Sequence, residues 1–522
     1  MSETPDSVTH MTSNSGGKIQ DPDRHDTTDT KQLSHNLLHG GRGHHKVIRS
    51  KQSLRKMNSP EETNNNGEYI LSRFKAILQE CLAASADCEN CKEESLDEWA
   101  KLIYQSMTTK ARVYHDVEHV LEVLQYYQQE CSVHQETPDP ISKLAILFHD
   151  VIYISLDKQL SPPQTALLQD IVRQDTTTRN DNVPLITLLP PPTPRIAMVY
   201  AIFDIAAPSQ RSITAPGTNE LLSALVAVQT LQSVLTPPQL LQMVVAIEAT
   251  IPFRPPAAID ALFQRTRQQS SAEGSTNPDA AARTALHQAM RVAYSDLGVF
   301  ANEDITAFID SNWRLLPEWF PILQSQNSAT VADLSAALAS VRQRPMDTTV
   351  IFPSFDEQTV EGKQRQATVN LQVLRDYMSV RELTIHMILD LLAEQLNNKN
   401  QDNHASGSQE TIPIGKWNDM MARIVPALPN YADDDATKSP DDNDVHAQLL
   451  LRVLGNGRRV AYPWDAKASP LGAALFQELD LSSFKVSQLL EERRSKKDNN
   501  CTAGWLDLLP GKLMEITRSA IV

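Results

Sequence analysis

From Glu68 onward, apolar residues recur at the spacing of an amphipathic helix. Tyr69, Leu71, Phe74, Ile77, Leu78 and Leu82 fall close to a period of about 3.6 residues, as do Leu96, Trp99, Leu102, Ile103 and Met107. The alternation of a half-buried strand is hard to find. Glycines are scarce, at 17, and the 31 prolines cluster between helical stretches, as in VPLITLLPPPTPR and TIPFRPP. This pattern predicts an all-α fold. A Gln/Ser/Ala-rich stretch from Gln264 to Asn277 reads as a surface insertion, and the polar segments 397–410 and 431–444 read as linkers. Between and beyond those linkers, KWNDMMARIVPAL and SSFKVSQLLEERR are short helical candidates, and no internal repeat is found.

Residues 1–66 carry almost no aliphatic clusters and many Ser, Thr, Asn, Asp and His. Such a composition cannot bury enough apolar surface to offset its ordering entropy, so a disordered tail is expected. Its histidines and its scattered basic residues from Arg42 to Lys56 allow a metal-binding role or a weak nuclear address, against the simpler reading of a solvated tail. Over the whole chain 48 Lys+Arg stand against 64 Asp+Glu, a net charge of −16. That balance argues against a duplex-coating nucleic-acid binder. With no long apolar run and no basic, apolar leader, the expectation is a chain without a membrane partner, cytoplasmic or else nuclear. Five cysteines, Cys88 and Cys91 in a C-x-x-C among them, are too few to staple a protein of this length and fit a reducing compartment.

Three apolar segments carry polar residues that a core would not tolerate unpaired. In RVYHDVEHVLEVLQYY, the apolar face is Val113, Val117, Val120, Leu121 and Leu124, and His115 and His119 are spaced to share one side of a helix. Thirty residues after His119, LAILFHDVIY delivers His149 and Asp150 into core-like surroundings, where a carboxylate beside an imidazole is costly unless paired or metal-bound. In MRVAYSDLGVF, Asp296 interrupts a further apolar run. Imidazole nitrogens and carboxylate oxygens from three segments suit a divalent cation, with Mn, Mg, Fe and Zn not distinguished. Water on such a cation ionises near neutral pH, which favours hydrolysis.

YHDVEHV, FHDVIY and SDLGVF together resemble the HD superfamily of metal-dependent phosphohydrolases, in the group with Y-H-N-x-x-H and W-F-H-D-x-V-Y motifs. A weaker likeness continues through SVRQRPMDTTVIFPSF and QATVNLQVL, so that the resemblance covers roughly Glu68 to Leu374. It implies an HD-like helical domain over 67–376 that hydrolyses a small phosphorylated substrate. A helical extension over 377–522 would follow, through which a protein partner could bind. Carried onto this chain it makes His149, Asp150 and Asp296 metal ligands, with His119 preferred over His115 as the fourth. Asp150 and His115 are then the catalytic candidates, His115 lying behind the ligands or facing the phosphate. Arg112 and Arg254, within or beside motif segments, are candidate phosphate clamps. The chain departs from the pattern in three places. LSPPQTALL replaces an acidic N-E-E-type stretch after the His–Asp pair, EATIPFR lacks a histidine, and Thr368 stands where an arginine is usual.

Two other readings stay open. HDVEH fits H-x-x-E-H, a metallopeptidase signature with His115 and His119 as ligands and Glu118 as base, but it leaves His149 and Asp150 unexplained. An inactive metal-bearing scaffold that binds a nucleotide or a partner protein is the third.

Overall fold

The prolines that punctuate the sequence begin helices rather than merely separating them. Pro140, Pro162, Pro194, Pro237, Pro256 and Pro278 each sit at the first helical position, where the missing N–H costs nothing and the fixed φ already suits the helix. In the computed structural model, residues 60–85, 93–175, 184–325, 328–342, 351–355, 360–399, 412–424, 445–456, 470–478, 483–498, 506–509 and 511–521 are described. Nearly all belong to one compact unit, Asn64–Val522. The expected tail therefore lies almost wholly outside the described residues, as do Cys88, Cys91, the segment 431–444 and most of 397–410.

The fold is all-α. In chain order the first half comprises α1 (Pro60–Ser85), α2 (Glu93–Met107), α3 (Val117–Val133), α4 (Pro140–Phe148), the single turn α5 (Ile154–Asp157), α6 (Pro162–Leu168), α7 (Pro194–Ile202), α8 (Thr218–Leu231), α9 (Pro237–Ala249), α10 (Pro256–Ala272) and α11 (Pro278–Asp296). The second half comprises α12 (Ile305–Trp319), α13 (Val331–Arg342), the long α14 (Glu361–Lys399), α15 (Ile414–Ile424), α16 (Val445–Asn456), α17 (Pro470–Glu478), α18 (Ser483–Asp498) and α19 (Gly511–Ile521). Helix α9 lies at the centre of the first half. It packs on α4, α8 and α11, and Leu240, Met243, Val244, Val245, Ala246 and Ile247 bury nearly all of its circumference. Helices α3 and α10 flank α11, while α14 supports the second half through α13, α16, α17 and α18. The boundary expected at 376/377 falls inside α14, which runs unbroken across it. No helix among the described residues is long and apolar enough to cross a membrane.

Two local expectations differ from the structure. A small antiparallel sheet, β1 (Val172–Asp175), β2 (Leu185–Leu188) and β3 (Ser209–Ser212), pairs in the order β1-β2-β3 with Ile186 opposite both Gln174 and Arg211. Each strand has only four residues, too few for a period-two pattern to register, and Val172, Ile186 and Leu188 mark its buried face. Gln264–Ala272 is not an insertion but the second half of α10. Thr266 and Ser270 face inward there, and the Thr266 hydroxyl donates to the Leu262 carbonyl at 2.8 Å.

The weakly patterned distal region has a definite packing role. Asn370 in α14 is fully buried, and its amide donates to the carbonyls of Phe300 and Asn302, each at 2.8 Å. Gln364 accepts from the backbone of Ile351 and Phe352, and the Tyr294 hydroxyl donates to the Pro353 carbonyl. These bonds pin the turn that follows Asp296. In that turn a side chain at Gly298 would press on the Tyr126 ring, 3.2 Å away.

Candidate metal centre

Helix α3 starts at Val117, capped by Asp116, whose carboxylate accepts from the backbone N–H of Glu118 and His119 at 3.0 and 3.1 Å. His119 therefore occupies the first turn and points inward. His115 precedes the cap, so the two histidines do not stand on successive turns of one helix, contrary to the spacing argument. Helix α4 ends at His149. The His149 Nδ1 donates to the Ile146 carbonyl at 2.8 Å, which fixes the ring and turns Nε2 toward the carboxylates. Asp150 follows, its main-chain carbonyl held by Arg112 Nη1 at 2.6 Å. Asp296 closes α11.

Four donor atoms meet. His119 Nε2 lies 3.1 Å from Asp296 Oδ1 and 3.6 Å from Asp150 Oδ2, and His149 Nε2 lies 3.2 Å from Asp150 Oδ2 and 3.6 Å from Asp296 Oδ1. Despite that proximity, His119 Nε2, His149 Nε2 and Asp150 Oδ2 are buried without a hydrogen-bond partner. The three atoms converge without a hydrogen bond among them. Ligands about 2.0–2.2 Å from a shared cation stand about 3.0–3.6 Å from one another, which is the spacing seen. His119, His149 and Asp150 also form a group whose ligand atoms all lie within 4.8 Å of each other. Burial opposes charge at both carboxylates, but the imidazoles overcome it. Asp150 is held far below the usual carboxylate range and Asp296 is lowered to about 2. Burial likewise opposes a proton on His149, yet Asp150 and Asp296 hold its pKa well above the usual imidazole value. The set is thus a balanced nest of two imidazoles and two carboxylates, and residues of this type fit a divalent cation.

The other candidates sit differently. Arg112 has no accessible side-chain surface. Its Nη2 meets Asp157 Oδ2 at 2.7 Å, and it caps the Asp150 and Val151 carbonyls. Arg254 pairs with buried Glu248 at 2.8 Å, a carboxylate it shares with Arg265. Both guanidinium groups are committed to protein partners. Glu118 lies on the half-open face of α3, 4.0 Å from Arg314. His115 bonds through Nδ1 to Glu318 Oε2 at 2.6 Å, stacks on Tyr153 with centroids 4.4 Å apart and meets His119 edge-on at 5.4 Å. The H-x-x-E-H reading needs His115 and His119 as a ligand pair. Here His119 instead shares its donor atom with His149, Asp150 and Asp296.

Two functional candidates escaped the sequence. Glu318, near the end of α12, accepts from the backbone N–H groups of Val113, Tyr114 and His115 through Oε1 and from His115 Nδ1 at 2.6 Å through Oε2. Glu220 opens α8, which is clamped to the His–Asp segment. The Ser223 hydroxyl accepts from Ile152 N–H at 3.0 Å and donates to its carbonyl, and Asn219 Oδ1 accepts from Ser155 N–H. Burial, reinforced by the negative fields of Asp150 and Asp296, raises Glu220 to about 7. Asn219 and Glu220 thus stand against the His–Asp segment although the excursion that holds the small sheet separates them from it in sequence. The signal was present at TNEL, 218–221, well beyond the window in which it was sought. Where the acidic stretch was expected, Gln164 instead donates to the Val151 carbonyl at 2.9 Å.

Comparison with protein-family models, with curated proteins and with solved structures finds no match.

Proposed function

We propose that this chain is an HD-type metal-dependent phosphohydrolase acting on a small phosphoester. The observation that carries the reading is the convergence of His119, His149, Asp150 and Asp296, with three buried donor atoms left without a hydrogen bond. Leaving such atoms unpaired costs roughly 1–3 kcal/mol each, a cost that a shared ligand removes. A divalent cation held by these four residues supplies Lewis acidity toward a phosphoryl oxygen and acidifies water at the site. The protein's own part is orientation. Ile146 fixes the His149 ring, Asp116 sets the first turn that aims His119, and Arg112 locks the backbone at Asp150. Glu220, within the electrostatic reach of Asp150 and Asp296, adds a third carboxylate to the field around the site.

The test combines metal analysis of the purified full chain with a phosphoester panel under added manganese, magnesium, iron and zinc, for wild type, Asp150→Asn and Glu118→Gln. The proposal expects metal uptake and turnover in wild type and in Glu118→Gln, and loss of both in Asp150→Asn. Peptide cleavage abolished by Glu118→Gln would instead favour the metallopeptidase. Metal uptake without turnover of either class would favour a scaffold, a reading supported by the commitment of Arg112 and Arg254 to protein partners.

A further inference from the structure

Phe253 stands where folding alone gives no reason for a phenylalanine. Among the described residues it alone is both a large apolar residue left exposed, at 47%, and a non-glycine residue with left-handed backbone, φ 57°. A bulky residue at positive φ is a conformational outlier that glycine would relieve, and a ring left half in water forgoes much of its burial energy. Strain of this kind collects at functional sites. The loop between α9 and α10 holds the residue firmly. The Thr250 hydroxyl donates to the Ile247 carbonyl at 2.7 Å, the Ile251 N–H donates to the Glu248 carbonyl at 3.2 Å, and Arg254 Nη1 donates to Glu248 Oε1 at 2.8 Å. Pro252 and Pro255 restrict the backbone on either side.

The same loop touches two elements that flank the four converging ligand atoms. Ile251 Cδ1 lies so close to Gly217, at the start of α8, that a Cβ there would stand 2.8 Å from it, and Glu220 follows in the first turn of that helix. The Phe253 ring meets Phe300 edge to face, with centroids 5.6 Å apart, and Phe300 lies in the turn Leu297–Ala301 that directly follows Asp296. Asp296 is the most accessible of the four ligand side chains, at 16% against 9%, 5% and 3% for Asp150, His119 and His149. The centre therefore opens to solvent on the side of that turn. An aromatic ring fixed beside the opening meets whatever part of a phosphoester projects outward from the phosphate.

We propose that Phe253 is a specificity-determining residue whose ring stacks on a planar aromatic group of the phosphoester, so that the site favours esters carrying an aromatic ring over aliphatic esters of the same size. This rests on the phosphohydrolase reading. Offset stacking needs a π face on both partners, which a saturated ring does not offer. Phe253 carries no group that can act on phosphorus. Its contact is made equally in the ground state and the transition state, so it lowers KM and leaves kcat unchanged.

Benzyl phosphate and cyclohexylmethyl phosphate are matched probes. Both are esters of primary alcohols with a six-membered ring on the same carbon, and they differ in whether that ring is planar and aromatic. The full chain with added manganese is assayed as wild type, Phe253→Ala, Phe253→Leu and Phe253→Tyr. Wild type should show a KM about threefold to tenfold lower for benzyl phosphate. Phe253→Ala and Phe253→Leu should lose that preference and Phe253→Tyr should keep it, with kcat for both esters and KM for methyl phosphate unchanged within about twofold. A packing role alone would raise KM for all three esters alike and would be rescued by Leu, which overturns the proposal, as does a wild type without preference. Calorimetric titration with benzylphosphonate and cyclohexylmethylphosphonate, which are not hydrolysed, reads the same contrast in binding. Selective binding of benzylphosphonate that Phe253→Ala abolishes, in a wild type without turnover, overturns the phosphohydrolase reading and sustains the stacking role. Equal binding of the two phosphonates, or of neither, overturns the role of Phe253 whatever the turnover. If Phe253→Ala does not fold, Phe253→Gly, which suits the left-handed backbone, carries the same comparison.

Discussion

Replacing Arg112 with Met tests whether this residue is a structural staple, as its bonding indicates, or a substrate clamp. Met keeps the aliphatic volume and removes the charge. It strands Asp157, whose oxygens now face Arg112 Nε at 3.4 and 3.2 Å and Nη2 at 2.7 Å, and it leaves the Asp150 carbonyl without its 2.6 Å donor. Breaking a buried pair from one side costs about 3–5 kcal/mol. Asp157 retains the Thr109 hydroxyl at 2.8 Å and is 14% accessible, which places this case at the lower end. An orphaned carbonyl adds about 1 kcal/mol, for a total of about 4 kcal/mol. With an unfolding entropy of about 2.1 cal/mol/K per residue, a unit the size of Asn64–Val522 loses about 1 °C per kcal/mol, so Tm should fall by about 4 °C. Denaturant unfolding followed by tryptophan fluorescence gives the free energy more directly. In a cycle with Asp157→Asn, the double variant should be less damaged than the sum of the singles, with a coupling of about 2 kcal/mol. An unchanged unfolding midpoint in Arg112→Met, together with a tenfold rise in KM for a phosphoester, would refute the staple and restore the clamp.

Asn370→Ala should destabilise the chain by about 2 kcal/mol, because it leaves the Phe300 and Asn302 carbonyls unpaired in the core; hydrogen exchange should rise first in 297–304, and a global loss without that local signature would contradict the assignment. Glu136→Gln tests linkage away from the centre. Hydrogen bonds from Arg291 depress the Glu136 pKa, so its contribution is present above about pH 4.5 and is lost as pH falls through its depressed value. Glu136 is 43% accessible, so solvent screening limits the loss at pH 7 to about 1 kcal/mol. The Tm gap to wild type should close in acid, and a gap that widens there would reverse the sign of the argument.

Much of the candidate metal centre was legible because its ingredients are local anomalies. A His–Asp pair inside LAILFHDVIY and an aspartate inside MRVAYSDLGVF are expensive wherever they stand in an apolar run, and that expense can be read without coordinates. Helix class was legible for the same reason, since a period near 3.6 is a property of neighbouring residues, whereas that the prolines open helices rather than separate them was shown only by the fold. What lay beyond reach were the partners. Glu318 lies 203 residues from His115, and nothing in LLPEW announces a carboxylate that will accept four hydrogen bonds. Arg112 and Arg254 looked free because an arginine's commitments are made by whichever distant carboxylate arrives, here Asp157 and Glu248. The start of α3 at Val117, which takes His115 off the helix, was settled by the Asp116 cap together with Arg314, which bonds both Asp116 and the Val113 carbonyl. Glu220 was hidden by the excursion between Asp150 and α8, which separates in sequence what packing places together. The residue types and their periods are written along the chain, whereas which nitrogen faces which oxygen depends on contacts between segments hundreds of residues apart, and only the folded packing brings those into range.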